Sequence, residues 1–272
     1  MSIKCATWID ASEVTADYST IIPEFRCNEQ VSSWAQEYAR NQAGRCRWDA
    51  DFLTKNYNFS TCLNIGGAPF VFEYFMKNAR PDIAMVSLDL DAARFPEAER
   101  VLKIKIAQIN IENPDPLATR MLGQFECVVF SEVFEHLRID ILETVALLRD
   151  LLAEGGILYL TTPNGLGLWA TRERLHGRTG SDPVNEWSKL TRLGHMGHIR
   201  EYSRREVCDV LRHCGFVVET HFYRRSRRTG SVRSKMMNVV KALVTRVLPW
   251  LGDELVFVLR KAPLVATAVI PV

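Results

Sequence analysis

Thr61-Cys62-Leu63-Asn64-Ile65-Gly66-Gly67 opens as a short apolar run and closes on an amide side chain and two glycines. Pro69 and an amphipathic stretch follow at once. The pattern predicts a buried strand over 61–65, a tight turn, and a helix opened by proline over about 69–78. Glycine in such a turn lets the backbone approach a ligand, and the helix start presents unpaired N–H groups. Met85-Val86-Ser87-Leu88-Asp89 is a second apolar run, and it ends in a carboxylate. A glycine turn after one strand and an acid closing the next is how α/β folds hold a nucleoside, with the acid on the ribose hydroxyls. Alone, Asp89 would read equally well as an exposed strand-end acid; the turn upstream favours a ligand.

Outward from this pair, apolar runs at 103–109, 125–131, 156–162, 216–222 and 254–260 read as further strands. Their alternation with helical patterns predicts an α/β fold with a doubly wound, mostly parallel sheet. A helix is expected over about 140–153, with Gly155 as its stop. Ser203-Arg204-Arg205-Glu206 reads as a capping box opening a helix that Gly215 ends. Residues 1–58 are expected to form a helical N-terminal cap, with a helix from about Glu29 to Arg40 and Arg45, Arg47 and Trp48 between it and the core. The main domain is expected over 59–262. Within it, 164–200, rich in glycine and carrying Trp169, Trp187, His195 and His198, breaks the alternation and reads as a lid insertion. A second insertion is expected over 224–251, and 263–272 is left as a tail.

The chain has 272 residues, enough for one large α/β domain, and its 47% hydrophobic and 24% charged content is that of a globular protein. Its seven cysteines form no C-x-x-C pair, which favours reduced, buried thiols over a disulfide frame. No signal segment opens the chain and no stretch reaches the roughly 20 apolar residues of a membrane span, so a cytoplasmic protein is expected. The formal charge of +2 is uneven: eight basic residues and no acid lie between Phe222 and Gly252. Within that segment Met236, Val240, Leu243 and Val247 recur on one helical face, and Ser234, Asn238, Lys241 and Thr245 on the opposite one. Two readings stay open. The helix packs on the core beside a solvated arginine loop, or the segment meets an anionic partner, which would place the protein peripherally at the inner membrane face.

Four segments, in order, carry a family resemblance: Leu63–Phe70 as the glycine turn; Ser87-Leu88-Asp89-Leu90; Gln108-Ile109-Asn110-Ile111-Glu112; and Phe125 to Leu137, which contains Ser131-Glu132-Val133-Phe134-Glu135-His136. Glu154-Gly155-Gly156 and Gly197 to Ser203 support them. In these segments the chain resembles the class I S-adenosylmethionine-dependent methyltransferases over about residues 45–261. Within that class it is similar to small-molecule and glycan O-methyltransferases of the ubiquinone-biosynthesis type. The resemblance implies a seven-stranded Rossmann-like sheet whose final strand is antiparallel, with S-adenosylmethionine at the carboxyl ends of the strands. It implies cofactor contacts at Asn64, Gly66, Gly67, Ala68, Asp89, Leu90, Asn110, Ile111, Ser131 and Val133. Asn64 stands where the family usually has an acid, Ala68 and Phe70 where it has glycines, and Asn110 where it has Asp.

His136 falls where an acceptor would meet the methyl group, and a neutral imidazole suits proton removal from a hydroxyl. His136 and His198 are therefore the candidate catalytic residues, and a structural role is the alternative for each. Glu132 and Glu135 read equally well as acids in a helix's first turn. His195 and His198 have H-x-x-H spacing, but no carboxylate with ligand spacing accompanies them in sequence, so no metal is expected. The expected function is O-methylation of a sugar or lipid-linked glycan. The alternatives are a quinone, phenol or amine acceptor, or a non-catalytic S-adenosylmethionine-binding protein. Nucleic acid is disfavoured, because strand four ends in Ser-Glu-Val-Phe rather than an Asn/Asp-Pro-Pro-aromatic grip. A nicotinamide enzyme is disfavoured by the missing G-x-G-x-x-G.

Overall fold

The computed structural model describes residues 5–7, 17–178, 182–193, 197–225 and 232–262. Its strands are β1 (Cys5–Thr7), β2 (Thr61–Ile65), β3 (Ala84–Asp89), β4 (Lys105–Gln108), β5 (Phe125–Ser131), β6 (Leu152–Pro163), β7 (Phe216–Arg225) and β8 (Glu254–Lys261). Its helices are α1 (Glu29–Asn56), α2 (Val71–Ala79), α3 (Ala98–Leu102), α4 (Pro116–Leu122), α5 (Ile141–Leu151), α6 (Leu168–Leu175), α7 (Pro183–Leu193), α8 (Arg204–His213) and α9 (Val232–Val247). The strands form one sheet in the order β1-β7-β8-β6-β5-β2-β3-β4. Only β8 runs antiparallel, against both β6 and β7. The seven expected strands are all present. β1 adds an eighth, pairing in parallel with the end of β7; three residues are too short a run for periodicity to register.

Alternation along the strands divides the core in two. Cys62, Cys127, Val129, Tyr159, Val256 and Val258 face one side with α1 and α2, while Leu63, Ile65, Val128, Phe130, Leu160 and Phe257 face the other with α5 and α8. α1 is more than twice the expected length. Asn28 caps it, accepting from Val31 N at 2.9 Å, and Ala35, Ala39, Ala43, Cys46, Ala50 and Leu53 form one buried stripe along it. These small side chains let α1 lie close against α2, and Arg45, Arg47 and Trp48 continue the helix rather than linking it to the core.

Two local expectations are corrected. Pro69 does not open α2: it lies in the turn, and Phe70, at φ 66°, separates it from the first helical residue. Gly155 does not stop α5, which ends at Leu151; it takes φ 74° within β6. The segment read as an insertion, 164–200, carries α6 and α7. The Ser203–Glu206 capping box forms as read. Six cysteines are free, and no helix among the described residues is long and apolar enough to cross a membrane. His195, Arg227, Arg228 and the tail 263–272 lie outside the described residues.

Candidate active site

The carboxyl ends of β2, β3 and β5 open into a cavity of about 400 Å³. Its wall takes Gly66 and Ala68 from the first turn, Asp89 and Leu90 from the second, Asn110 and Ile111 after β4, and Ser131, Val133 and His136 after β5. Nine of the expected residues thus line one space of a size usual for a small-molecule site.

The turn after β2 is built for close approach. Gly66 N and Gly67 N both donate to Leu88 O, at 2.8 and 3.2 Å, which fastens the turn to β3. Gly66 takes φ 75°, and a Cβ there would fall 2.6 Å from Val133 Cγ2, so any side chain would fill the passage. Asp89 Oδ2 accepts from Ala68 N and Oδ1 from Asp91 N, each at 2.9 Å. The carboxylate is therefore held in the cavity wall with acceptor capacity left on both oxygens. Asn110 Oδ1 accepts from Glu112 N at 3.0 Å, which orients its amide. Glycine cradle, strand-end acid, apolar slot and amide together fit a nucleoside-bearing methyl donor.

Asn64 and Gly67 lie behind this wall. Asn64 Nδ2 donates to Glu73 Oε1 at 2.7 Å, and Ser87 Oγ donates to the same oxygen at 2.6 Å. A Cβ on Gly67 would collide with both Ser87 Oγ and Glu73 Oε1. Asn64 therefore supports the turn from beneath and does not face the larger cavity. The buried acid comes instead from α2, which is why an amide stands at position 64.

α1 contributes Trp34 and Tyr38 to the cavity, and behind them Arg45. Arg45 is buried; Nη1 donates to Ser131 Oγ at 2.7 Å, Nη2 to Tyr38 OH at 3.1 Å, and Nε to Gln42 Oε1 at 3.0 Å. All three partners are neutral. A sequence reading that treats Arg45 as linker has no signal for this.

At the far wall the chain brings Glu135, His136 and His198 together. Glu135 is buried; its Oε2 accepts from Thr162 Oγ1 at 3.0 Å, and its Oε1 has no hydrogen-bond partner. Oε1 lies 3.8 Å from His136 Nε2 and 3.9 Å from His198 Nε2. Each ring is oriented through its other nitrogen: His136 Nδ1 meets Gly197 O at 3.0 Å, and His198 Nδ1 meets Glu201 Oε1 at 3.3 Å. Suitable ligand atoms of the three residues lie within 4.8 Å of one another. Two imidazoles and a carboxylate, each imidazole steered by a further partner, are donors suited to a divalent cation. The sequence reading weighed His195 with His198 as a metal pair; the structure sets His198 instead beside Glu135 and His136, about 60 residues earlier in the chain. Burial and the neighbouring His198 charge push His136 down to about 4. For His198 burial opposes protonation, but the Glu201 hydrogen bond and the Glu135 and Glu132 carboxylates outweigh it and raise it to about 9. His198 stands behind His136, with ring centres 5.1 Å apart, rather than in the cavity wall.

The sequence profile of a family described as a methyltransferase domain matches residues 35–221. The chain belongs to this family. It is an enzyme of the S-adenosylmethionine-dependent methyltransferase class, with S-adenosylmethionine as cofactor. Solved structures are similar in fold: a SAM-dependent methyltransferase from Archaeoglobus fulgidus (TM-score 0.55, 12% identity, covering 84% of this chain and 98% of that one); the N-methyltransferase NodS from Bradyrhizobium japonicum WM9 (0.51, 15%, 92% and 100%); and the mitomycin 7-O-methyltransferase MmcR (0.54, 12%, 93% and 69%). No curated protein matches in sequence. Since N- and O-methyltransferases share this fold, the fold does not choose the acceptor.

Proposed function

We propose that this methyltransferase acts on a hydroxyl group, of a sugar or a lipid-linked glycan, activated at Glu135, His136 and His198. The observation that carries the reading is Glu135 Oε1, buried and without a hydrogen bond, facing two imidazole Nε2 atoms beside the cavity. An amine attacks through a lone pair it already has, whereas a hydroxyl must lose a proton, and an aliphatic hydroxyl needs more help than a phenol. S-adenosylmethionine supplies an electrophilic methyl group with its own leaving group, so the chain's tasks are binding, alignment and proton removal. Asp89 would take the ribose hydroxyls, Asn110 the adenine edge, and Leu90, Ile109, Ile111 and Leu137 its faces. Arg45, a buried cation whose hydrogen bonds all go to neutral groups, with the Glu132 and Glu254 carboxylates acting on it at longer range, suits the methionine carboxylate. Glu135, His136 and His198 would hold a divalent cation, which would supply Lewis acidity and lower the pKa of a hydroxyl beside it. A second reading has His136, which lines the cavity, remove the proton unaided. The glycan choice rests on the similarity to the small-molecule and glycan O-methyltransferase branch alone. An acceptor carried on lipid would bring the enzyme to an anionic membrane surface.

The test strips the enzyme with a chelator and then measures donor binding by calorimetry and methyl transfer to a panel of hydroxyl acceptors. Donor affinity should stay within about twofold, and turnover should fall by about 10²–10⁴ and return with zinc, manganese or magnesium. Undiminished turnover would leave His136 as an unaided base.

A further inference from the structure

α9 is turned inside out. Thr245, from its polar stripe, is fully buried, and Lys241 pairs with Asp253 at 2.8 Å. Arg225 Nη1 donates to Ala242 O at 3.1 Å and to Thr245 Oγ1 at 3.3 Å, so the polar stripe is the one fastened to the body of the protein. The apolar stripe points outward. Met236 is 66% exposed and Val247 75%, and Val239, Val240 and Leu243 are exposed between them. Trp250, in the turn after the helix, is exposed on the same connection. A helix serving only to cover a core buries the opposite face. An apolar surface of this extent marks a contact site.

We infer that the outward face of α9, with Trp250, docks the enzyme on an anionic lipid surface. Three observations choose this occupant. First, the sequence from Phe222 to Gly252 holds eight basic residues and no acid. Arg224, Arg225 and Lys241 are engaged within the fold, and Arg246 is exposed beside the apolar stripe. Cationic charge flanking an apolar face, with tryptophan at its edge, is the composition of an interfacial helix. Second, a twofold contact with another copy would set this basic segment against itself, which opposes such a dimer. Third, the position is productive. α9 leaves the end of β7 and returns at Glu254, which pairs with Pro163 at the end of β6, so it sits at the carboxyl end of the sheet, the end at which the cavity opens. Asn164 Nδ2 ties this connection to the lid, donating to Trp250 O at 2.9 Å and Gly252 O at 2.7 Å. Trp169 and Leu166, exposed on that lid, extend the apolar rim. Docking would therefore turn the cleft toward acceptors held on the surface. β8, by contrast, carries the chain to Lys261, opposite Phe216 at the other end of the strands, away from α9.

The inference stands apart from the acceptor reading, because vesicle binding needs no methyl transfer. The full chain is sedimented with phosphatidylcholine vesicles, and with vesicles in which about a third of the lipid is phosphatidylglycerol, at low and high salt. It should pellet with the anionic vesicles at low salt and be released by salt. A variant carrying Val240→Ser, Leu243→Ser and Val247→Ser, exposed positions whose change leaves the core intact, should bind those vesicles at least tenfold more weakly. Its donor affinity and thermal unfolding should match wild type. Wild type left in the supernatant, or a variant that pellets as wild type does, would overturn the assignment. So would a wild-type dimer that the variant abolishes without any vesicle binding, since the face would then belong to a second copy.

Discussion

Glu73 is wholly buried at the foot of the glycine turn, one oxygen receiving Asn64 and Ser87 and the other without a partner. Burial, outweighing those two hydrogen bonds, pushes its carboxyl up to about 7 from an ordinary 4.5. A carboxyl raised in the folded state costs nothing below its unfolded pKa, and stability is lost as pH rises from about 4.5 through about 7. The shift corresponds to roughly 3 kcal/mol between pH 4.5 and pH 8. Glu73→Gln should flatten that part of the pH–stability curve in urea unfolding; an unchanged slope would show that Glu73 does not titrate in this range. The amide keeps an acceptor for Asn64 and Ser87, so the slope is the informative quantity rather than absolute stability. Asp89 and Gly66 were legible in the sequence because strand ends and positive-φ glycines leave local marks. Asn64 was legible as a departure but not as a partner of Glu73, because that bond joins a strand to the following helix through space. Glu135 reads as a helix-start acid until His198 is brought against it.

Among the elements, the central strands were legible almost to the residue: buried parallel strands are continuous apolar runs, and 61–65, 84–89 and 125–131 recur as read. α1 was legible only in its first half. Gly44 and the arginines around it suggest a break, yet Ala39, Ala43 and Cys46 keep the buried stripe going. Tertiary packing overrides the local cue. The consequence is functional, since continuity of α1 beyond Arg40 carries Arg45 to Ser131. If Arg45 receives the donor's carboxylate, Arg45→Met removes a charge-assisted hydrogen bond of about 1.5–3 kcal/mol. Calorimetry should then show affinity for S-adenosylmethionine reduced at least tenfold, with a smaller loss for adenosine, which lacks the carboxylate. Equal losses for the two ligands would place Arg45 in a purely structural role.

Across the whole molecule, the basic segment divides in a way its composition does not disclose. Arg224 is not part of a solvated cluster: it is fully buried, donating through Nε to Glu254 Oε2 at 2.9 Å, pairing through Nη2 with Glu254 Oε1, and pairing through Nη1 with Asp49. Tyr159 also donates to Asp49, and Trp48 lies under the guanidinium, 5.1 Å from ring centre to Cζ. The cluster joins α1, β6, β7 and β8 through residues as far apart as 49 and 254, a distance over which periodicity carries no information. Burial raises the carboxyls of Asp49 and Glu254, and Arg224 pulls both back. Arg224→Met keeps the volume but removes that pull, leaving two buried acids without their cation, a loss of about 3–5 kcal/mol where both would be ionised. Their folded pKa values then rise further, so stability is retained at low pH and lost as pH rises through them. In urea unfolding the variant should therefore lie close to wild type near pH 5 and fall well below it at pH 8. Adding Asp49→Asn and Glu254→Gln should recover most of the difference at pH 8. A deficit independent of pH, or one the added changes do not recover, would mean that packing around the arginine stem, rather than charge, holds these four elements together.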